Sequence, residues 1–155
     1  MKRRVTFLIA LCSILFGLLW AANSYAVTLY VNGATGHDGP GHGTTPTDPF
    51  KTIKYALSRA TDGTTISVAS YTYNETLTIT KNLITLKGAG STTTIINGSG
   101  TAPTIQITGP VRVTIRGFSI TGGKPGIQCE FAHLTCIQNT IKNKLQLCHL
   151  VLFLK

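Results

Sequence analysis

The chain has 155 residues, fourteen Lys/Arg against five Asp/Glu, 43% apolar residues and a formal net charge of +9. That length leaves room for one small domain at most. The basic excess admits nucleic acid, an anionic surface or an acidic polysaccharide as partner. However, Lys51, Lys54, Lys81, Lys87, Arg112, Arg116 and Lys124 are scattered without a run, as on a solvated face.

The first element is a leader. Lys2, Arg3 and Arg4 precede an apolar stretch over 5–20, and Ser24-Tyr25-Ala26 places small residues around a cleavage point. Residues 1–26 therefore read as a Sec-type signal peptide. The apolar run is short for a retained membrane span, and Cys12 lies too deep for a lipoprotein signal. The expected product begins at Val27 and is secreted, periplasmic or on the cell surface, with no membrane association after cleavage. Export argues against nucleic acid. Eleven Lys/Arg and five Asp/Glu remain in it, with Cys129, Cys136 and Cys148. Three cysteines in an exported chain leave one thiol free or bonded to another molecule. Cys129 and Cys136 read as small buried hydrophobes.

Residues 27–63 form an N-terminal unit. VTLYV (27–31) predicts a short strand, and the Gly/Pro/Thr/Asp-rich stretch after it predicts a loop. His37, Asp38 and His42 raise a metal site there. Gly-rich spacing holds no ligand in place, so none is assigned. Asp48-Pro49 has the form of an N-cap and first helical residue. Phe50, Ile53, Ala56, Leu57 and Ala60 then fall on one helical face, and Asp62-Gly63 ends the helix.

Residues 64–144 change texture. Short apolar beats such as Ile66/Val68, Leu77/Ile79, Ile84/Leu86, Ile105/Ile107 and Val113/Ile115 alternate as strands do, with Gly, Asn or Pro between most of them. Leu86, Ile107 and Cys129 are spaced by 21 and 22 residues, and Ile120 and Ile141 by 21. A ladder of that period, three short strands to a turn, predicts an all-β parallel β-helix (a solenoid) of three to four coils. Residues 111–123 then read as a strand, a corner at Gly117-Phe118, a second strand and a Gly-Gly exit. The apolar stripe of the helix would cap the first coil and cover its open edge. A β-sandwich is the competing fold, but it predicts hairpins with two-residue turns. Residues 145–155 are apolar, lack Gly and follow no coil pattern. They would be either an improvised cap or out-of-pattern sequence from a truncated gene.

The stretch "TLYVNGATGHDGPGHGTTPTDPFKTIKYALSRATDGTTISVASYTYNETLTI", followed by "LKGAGSTTTIING", resembles the opening of bacterial right-handed parallel β-helix proteins of the pectin-lyase-like superfold. "VTIRGFSITGG" and "GIQCEFAHLTCIQNTI" resemble their later repeats, and the likeness covers about residues 28–141. Tyr71 departs from it, standing where the family usually has Gly, so a strained turn is expected there. "NLITLKG" is one residue longer than usual and "IQNTI" one shorter. The family holds pectate lyases and other polysaccharide-degrading enzymes alongside surface and adhesive proteins, so the resemblance implies a right-handed helix without fixing an activity.

A lyase of the pectate type needs clustered carboxylates for Ca²⁺ and a Lys or Arg base; a hydrolase needs paired carboxylates. After Glu75 the only acid is Glu130. No catalytic residue, metal or cofactor is assigned, and Arg112 and Arg116 read as surface arginines before they read as bases. Outward ladders are expected of Thr85/Lys87, Gln106/Thr108 and Gln128/Glu130 on one side, and of Thr114/Arg116 on another. The candidate carbohydrate-binding residues are Lys87, Arg112 and Arg116, with Tyr71 and Tyr73 as platforms for sugar rings. Asn74-Glu75-Thr76 and Asn97-Gly98-Ser99 match the glycosylation sequon and carry little weight. The expected function is a non-catalytic, surface- or carbohydrate-associated module, its partner a polysaccharide or cell-surface glycan, or the remnant of a longer protein. The alternative is the N-terminal fragment of a polysaccharide lyase or glycoside hydrolase whose catalytic coils are missing.

Overall fold

The computed structural model describes residues 26–143, 145–146 and 149–153, the last two stretches by backbone alone. All of the expected leader but Ala26 lies outside the described residues, as does Cys148. Among the described residues no helix is long and apolar enough to cross a membrane.

The described residues are all-β with one short helix. Strand β1 (Thr28–Val31) leads through the loop to helix α1 (Ile53–Arg59). Twelve short strands follow in four groups of three, a repeating cycle: β2 (Thr65–Val68), β3 (Tyr71–Tyr73) and β4 (Leu77–Ile79); β5 (Ile84–Gly88), β6 (Thr94–Asn97) and β7 (Ile105–Thr108); β8 (Arg112–Arg116), β9 (Ser119–Thr121) and β10 (Ile127–Glu130); β11 (His133–Ile137), β12 (Thr140–Ile141) and β13 (Leu145–Gln146). A last strand, β14 (His149–Phe153), returns to the first position of the cycle. The sheets run β1-β2-β5-β8-β11-β14, β3-β6-β9-β12 and β4-β7-β10-β13. All their pairings are parallel. Three parallel sheets visited in rotation are compatible with a parallel β-helix.

Within each strand side chains alternate, and the inward ones make a single core. Ile66, Leu86 and Ile115 stack from one sheet, Leu77, Ile105 and Ile127 from the second, and Ile96 and Ile120 from the third, all essentially without exposure. Each such Leu or Ile contributes about 1.5–3 kcal/mol by leaving water. Polar residues hold the corners. Asn139 accepts from the Phe118 amide at 2.9 Å and donates to the Ile115 carbonyl at 2.7 Å, tying two successive layers together. The corner after β8 falls at Gly117, as the sequence predicts. Its φ is +74°, and the Gly88 backbone lies close enough to exclude a side chain.

Several expectations need correction. The period is not constant: Ile105 pairs with Ile127, 22 residues on, and Ile120 with Ile141, 21 on, but Ile84 pairs with Val113, 29 on. The connections 89–93 and 98–104 both lengthen that layer, and Leu86 and Ile107 fall in different sheets. The helix starts at Ile53, not after Asp48. Its N-cap is Thr52, whose hydroxyl accepts from the Tyr55 amide, while Asp48 pairs with His42 at 2.6 Å. Phe50 is buried but forms a parallel bridge with Val31 before the helix begins. Tyr71 lies in a regular strand, not in a left-handed turn. Residues 145–146 and 149–153 do not break the pattern. Their backbones extend two of the sheets, Leu145 pairing with Ile127 and His149 with His133. Finally, Cys129 is buried as expected but disulfide-bonded. Cys136 is the buried free thiol, pushed up to about 11 by burial against a lesser opposing pull from Asn139.

Candidate carbohydrate-binding face

The outward positions of the six-stranded sheet form columns across the strands. Thr28, Thr65, Thr85, Thr114 and Thr135 occupy one column, in register from β1 to β11. The next holds Tyr30, Ser67, Lys87, Arg116 and Ile137. Arg112 and His133 head a third. Lys87, Arg112 and Arg116 are therefore on one sheet face, and all three are exposed. Lys87 and Arg116 are direct neighbours on adjacent strands, about 4.8 Å apart along the sheet. Arg112 and Arg116 flank Thr114 at the two ends of β8, about 13 Å apart at strand rise. Like charges directly opposite one another destabilise a sheet, and an anion laid across them removes that cost.

The partition of the polar ladders differs from the predicted one. Thr85 and Lys87 stack with Thr114 and Arg116. Gln106 and Thr108 stack instead with Gln128 and Glu130 on a different sheet, where Gln128 Nε2 donates to Glu130 Oε1 at 3.1 Å. The unequal layer explains the difference. Once 29 residues separate β5 from β8, Lys87 meets the arginines and not the amides.

The two tyrosines divide. Tyr71 is 45% exposed but lies on β3, in another sheet from the cations, with its ring over Gly33. Tyr73 points inward with 2% of its surface exposed, so it offers no platform to a sugar. Its hydroxyl donates to the Ala69 carbonyl at 3.0 Å and accepts from the Gly33 amide at 3.2 Å. Burial pushes its pKa up to about 12, with the Gly33 amide pulling the other way.

A second constellation escaped the sequence reading. Two carboxylates converge on the start of α1. Asp38 accepts from the Lys51 and Thr52 amides and from the Thr52 hydroxyl at 2.7–3.1 Å. Glu75 accepts from the Ile53 and Lys54 amides at 3.2 and 2.8 Å. They satisfy the donors that a helix start leaves unpaired. Burial raises the Glu75 carboxyl above its usual range and Asp38 adds to that, while the two amides and Lys54 pull it down. Nothing local in the sequence marks Glu75 as a cap, because it stands more than twenty residues beyond the helix start.

The surface carries several partly open depressions. One of about 500 Å³ is lined by Lys54, Asn74, Glu75, Thr76, Asn97, Gly98 and Ser99. There Asn97 Nδ2 donates to Asn74 Oδ1 at 2.9 Å, joining the asparagines of the two sequons. Among the described residues no group of three His, Cys, Asp or Glu side chains is placed to hold a metal ion. No protein-family profile and no curated protein sequence matches the chain.

Proposed function

We propose that the chain is an exported, right-handed parallel β-helix of three to four coils, capped at its N-terminal end by α1. We propose further that it is a non-catalytic module binding an acidic polysaccharide or cell-surface glycan. The rotation through three parallel sheets supports the fold, and the packing of α1 on β1, β2 and β4 through Ile53, Ala56 and Leu57 supports the cap. The observation that carries the binding reading is the register of Lys87 with Arg116, with Arg112 across Thr114, on one flat outward face. Three cations on a rigid sheet present fixed positive sites to a polymer bearing carboxylates at intervals. The scarcity of acids beyond Glu75 supports a binding role over lyase or hydrolase chemistry.

The test is a titration of the full mature chain with polygalacturonate, followed by calorimetry. Weak binding is expected at low ionic strength, falling as salt rises toward a Debye length of about 8 Å. Arg112→Gln/Arg116→Gln should weaken it about tenfold or more. Absence of binding at low salt, or binding indifferent to the double substitution, rejects the reading.

A further inference from the structure

Phe131, in the corner between β10 and β11, is 91% exposed, against 53% for Leu83. It also holds a left-handed backbone, with φ +61°. That region favours glycine, since a Cβ crowds the following carbonyl there. An aromatic ring with almost all its surface in solvent gains no packing to offset the strain. The preceding layer uses the less strained residue. Thr108 pairs with Glu130, so Gly109, at φ +100°, is the register partner that Phe131 replaces. Leu83, at φ +57°, repeats the pattern on the same side of the molecule: Ile84 pairs with Val113, which sets Leu83 beside Arg112. Strain and exposed apolar surface are held together at Phe131, and among the described residues nothing covers the ring, which points to a contact outside the chain.

The surroundings define what that contact is. On one side of the corner lie Gln106 and Gln128 in register, with Gln128 bonded to Glu130. On the other lie Arg112 and the exposed His133, also in register. An open aromatic face between two strands that carry amide, carboxylate and guanidinium groups suits a pyranose. The axial C–H groups of the sugar cover the ring while its hydroxyls bond to either side. An anionic lipid surface suits it less. Glu130 immediately precedes Phe131 in the chain, and Asp62, which accepts from the Asn82 amide at 2.9 Å, adds negative charge beside Leu83.

We infer that Phe131 is the stacking platform for a sugar ring of the polysaccharide held by Arg112 and Arg116, so that this face selects saccharides over other polyanions. This inference rests on the carbohydrate reading above. Two probes separate the two claims: polygalacturonate, and polyacrylate as a carboxylate polymer without rings. The mature chain should bind both. Phe131→Asn, which keeps a residue tolerant of the left-handed backbone, should weaken polygalacturonate binding about three- to tenfold, the range of one aromatic contact. It should leave polyacrylate binding unchanged, and Phe131→Tyr should restore the polygalacturonate affinity. If the parent chain binds neither polymer, the carbohydrate reading fails and this inference with it. If it binds both and Phe131→Asn changes neither, or changes both equally, the inference alone is overturned. Phosphatidylglycerol vesicles form the last arm. Sedimentation with them that is lost in Phe131→Asn, with polygalacturonate binding intact, would assign the ring to a membrane and overturn the inference.

Discussion

Tyr73 and Tyr71 stand two residues apart with opposite fates. Tyr73 closes the Gly-rich loop onto the corner before β3 through its hydroxyl, which serves the Gly33 amide and the Ala69 carbonyl together. Tyr73→Phe strands both groups, and a loss of about 1–3 kcal/mol is expected. It should appear as a lower urea midpoint at unchanged slope. The alkaline limb should change as well. The folded pKa of about 12 lies above the ordinary 10, so above pH 10 the unfolded chain gives up this proton first. The stability tied to it is complete below pH 10 and is lost as pH rises through about 12. The Phe variant should lack that component of the alkaline decline. Strand alternation made both tyrosines visible in the sequence but could not say which rings were covered. Tyr73 is claimed by a loop forty residues away, and no local pattern encodes that distance. The candidate cations were legible because acids are so scarce around them. Phe131 was not, because an apolar residue after a strand reads as the next core position until its backbone angle is known.

At the level of elements, α1 shows how a correct pattern can give a wrong boundary. The face of Ile53, Ala56 and Leu57 was legible from spacing, and these residues are buried against β1, β2 and β4. The start was misplaced because Asp48-Pro49 has the form of a cap, while the Asp48 carboxylate is engaged by His42. Thr52 caps instead, and Asp38 and Glu75 reach in from a loop and from the connection between β3 and β4. The helix is seven residues long, too short to be stable alone, so packing and these carboxylates must hold it. Leu57→Asp introduces an unpaired carboxylate into that contact. The expected cost is on the order of 3 kcal/mol, enough to displace the thermal transition of a small domain by many degrees. A melting curve that superimposes on the parent's would remove the helix from any capping role.

For the whole molecule, the rotation through three sheets was legible from the beats, whereas the assumption of equal layers was not safe. A period of 21–22 describes β7 to β10, β8 to β11 and β9 to β12. It fails between β5 and β8, so it put Lys87 on the wrong side. The C-terminal segment was misjudged for a related reason. Without Gly it resembles no earlier layer, yet the backbones of 145–146 and 149–153 continue β10 and β11 in register. Deletion of residues 145–155 should therefore lower the urea midpoint and increase aggregation, since β10 and β11 become open edges. Unchanged stability and solubility in the shortened chain would contradict those pairings. The long connection 98–104 has a different consequence. It adds residues to one layer while Ile96 still meets Ile120 and Ile105 still meets Ile127. Thr104 anchors its far end, its hydroxyl donating to the Thr121 carbonyl at 2.8 Å, and Ser99 to Ala102 are exposed. Closing a longer loop there costs only logarithmically in its length. Between those residues the scaffold is open to growth, a port where descendants or engineers can graft foreign sequence without rewriting the core.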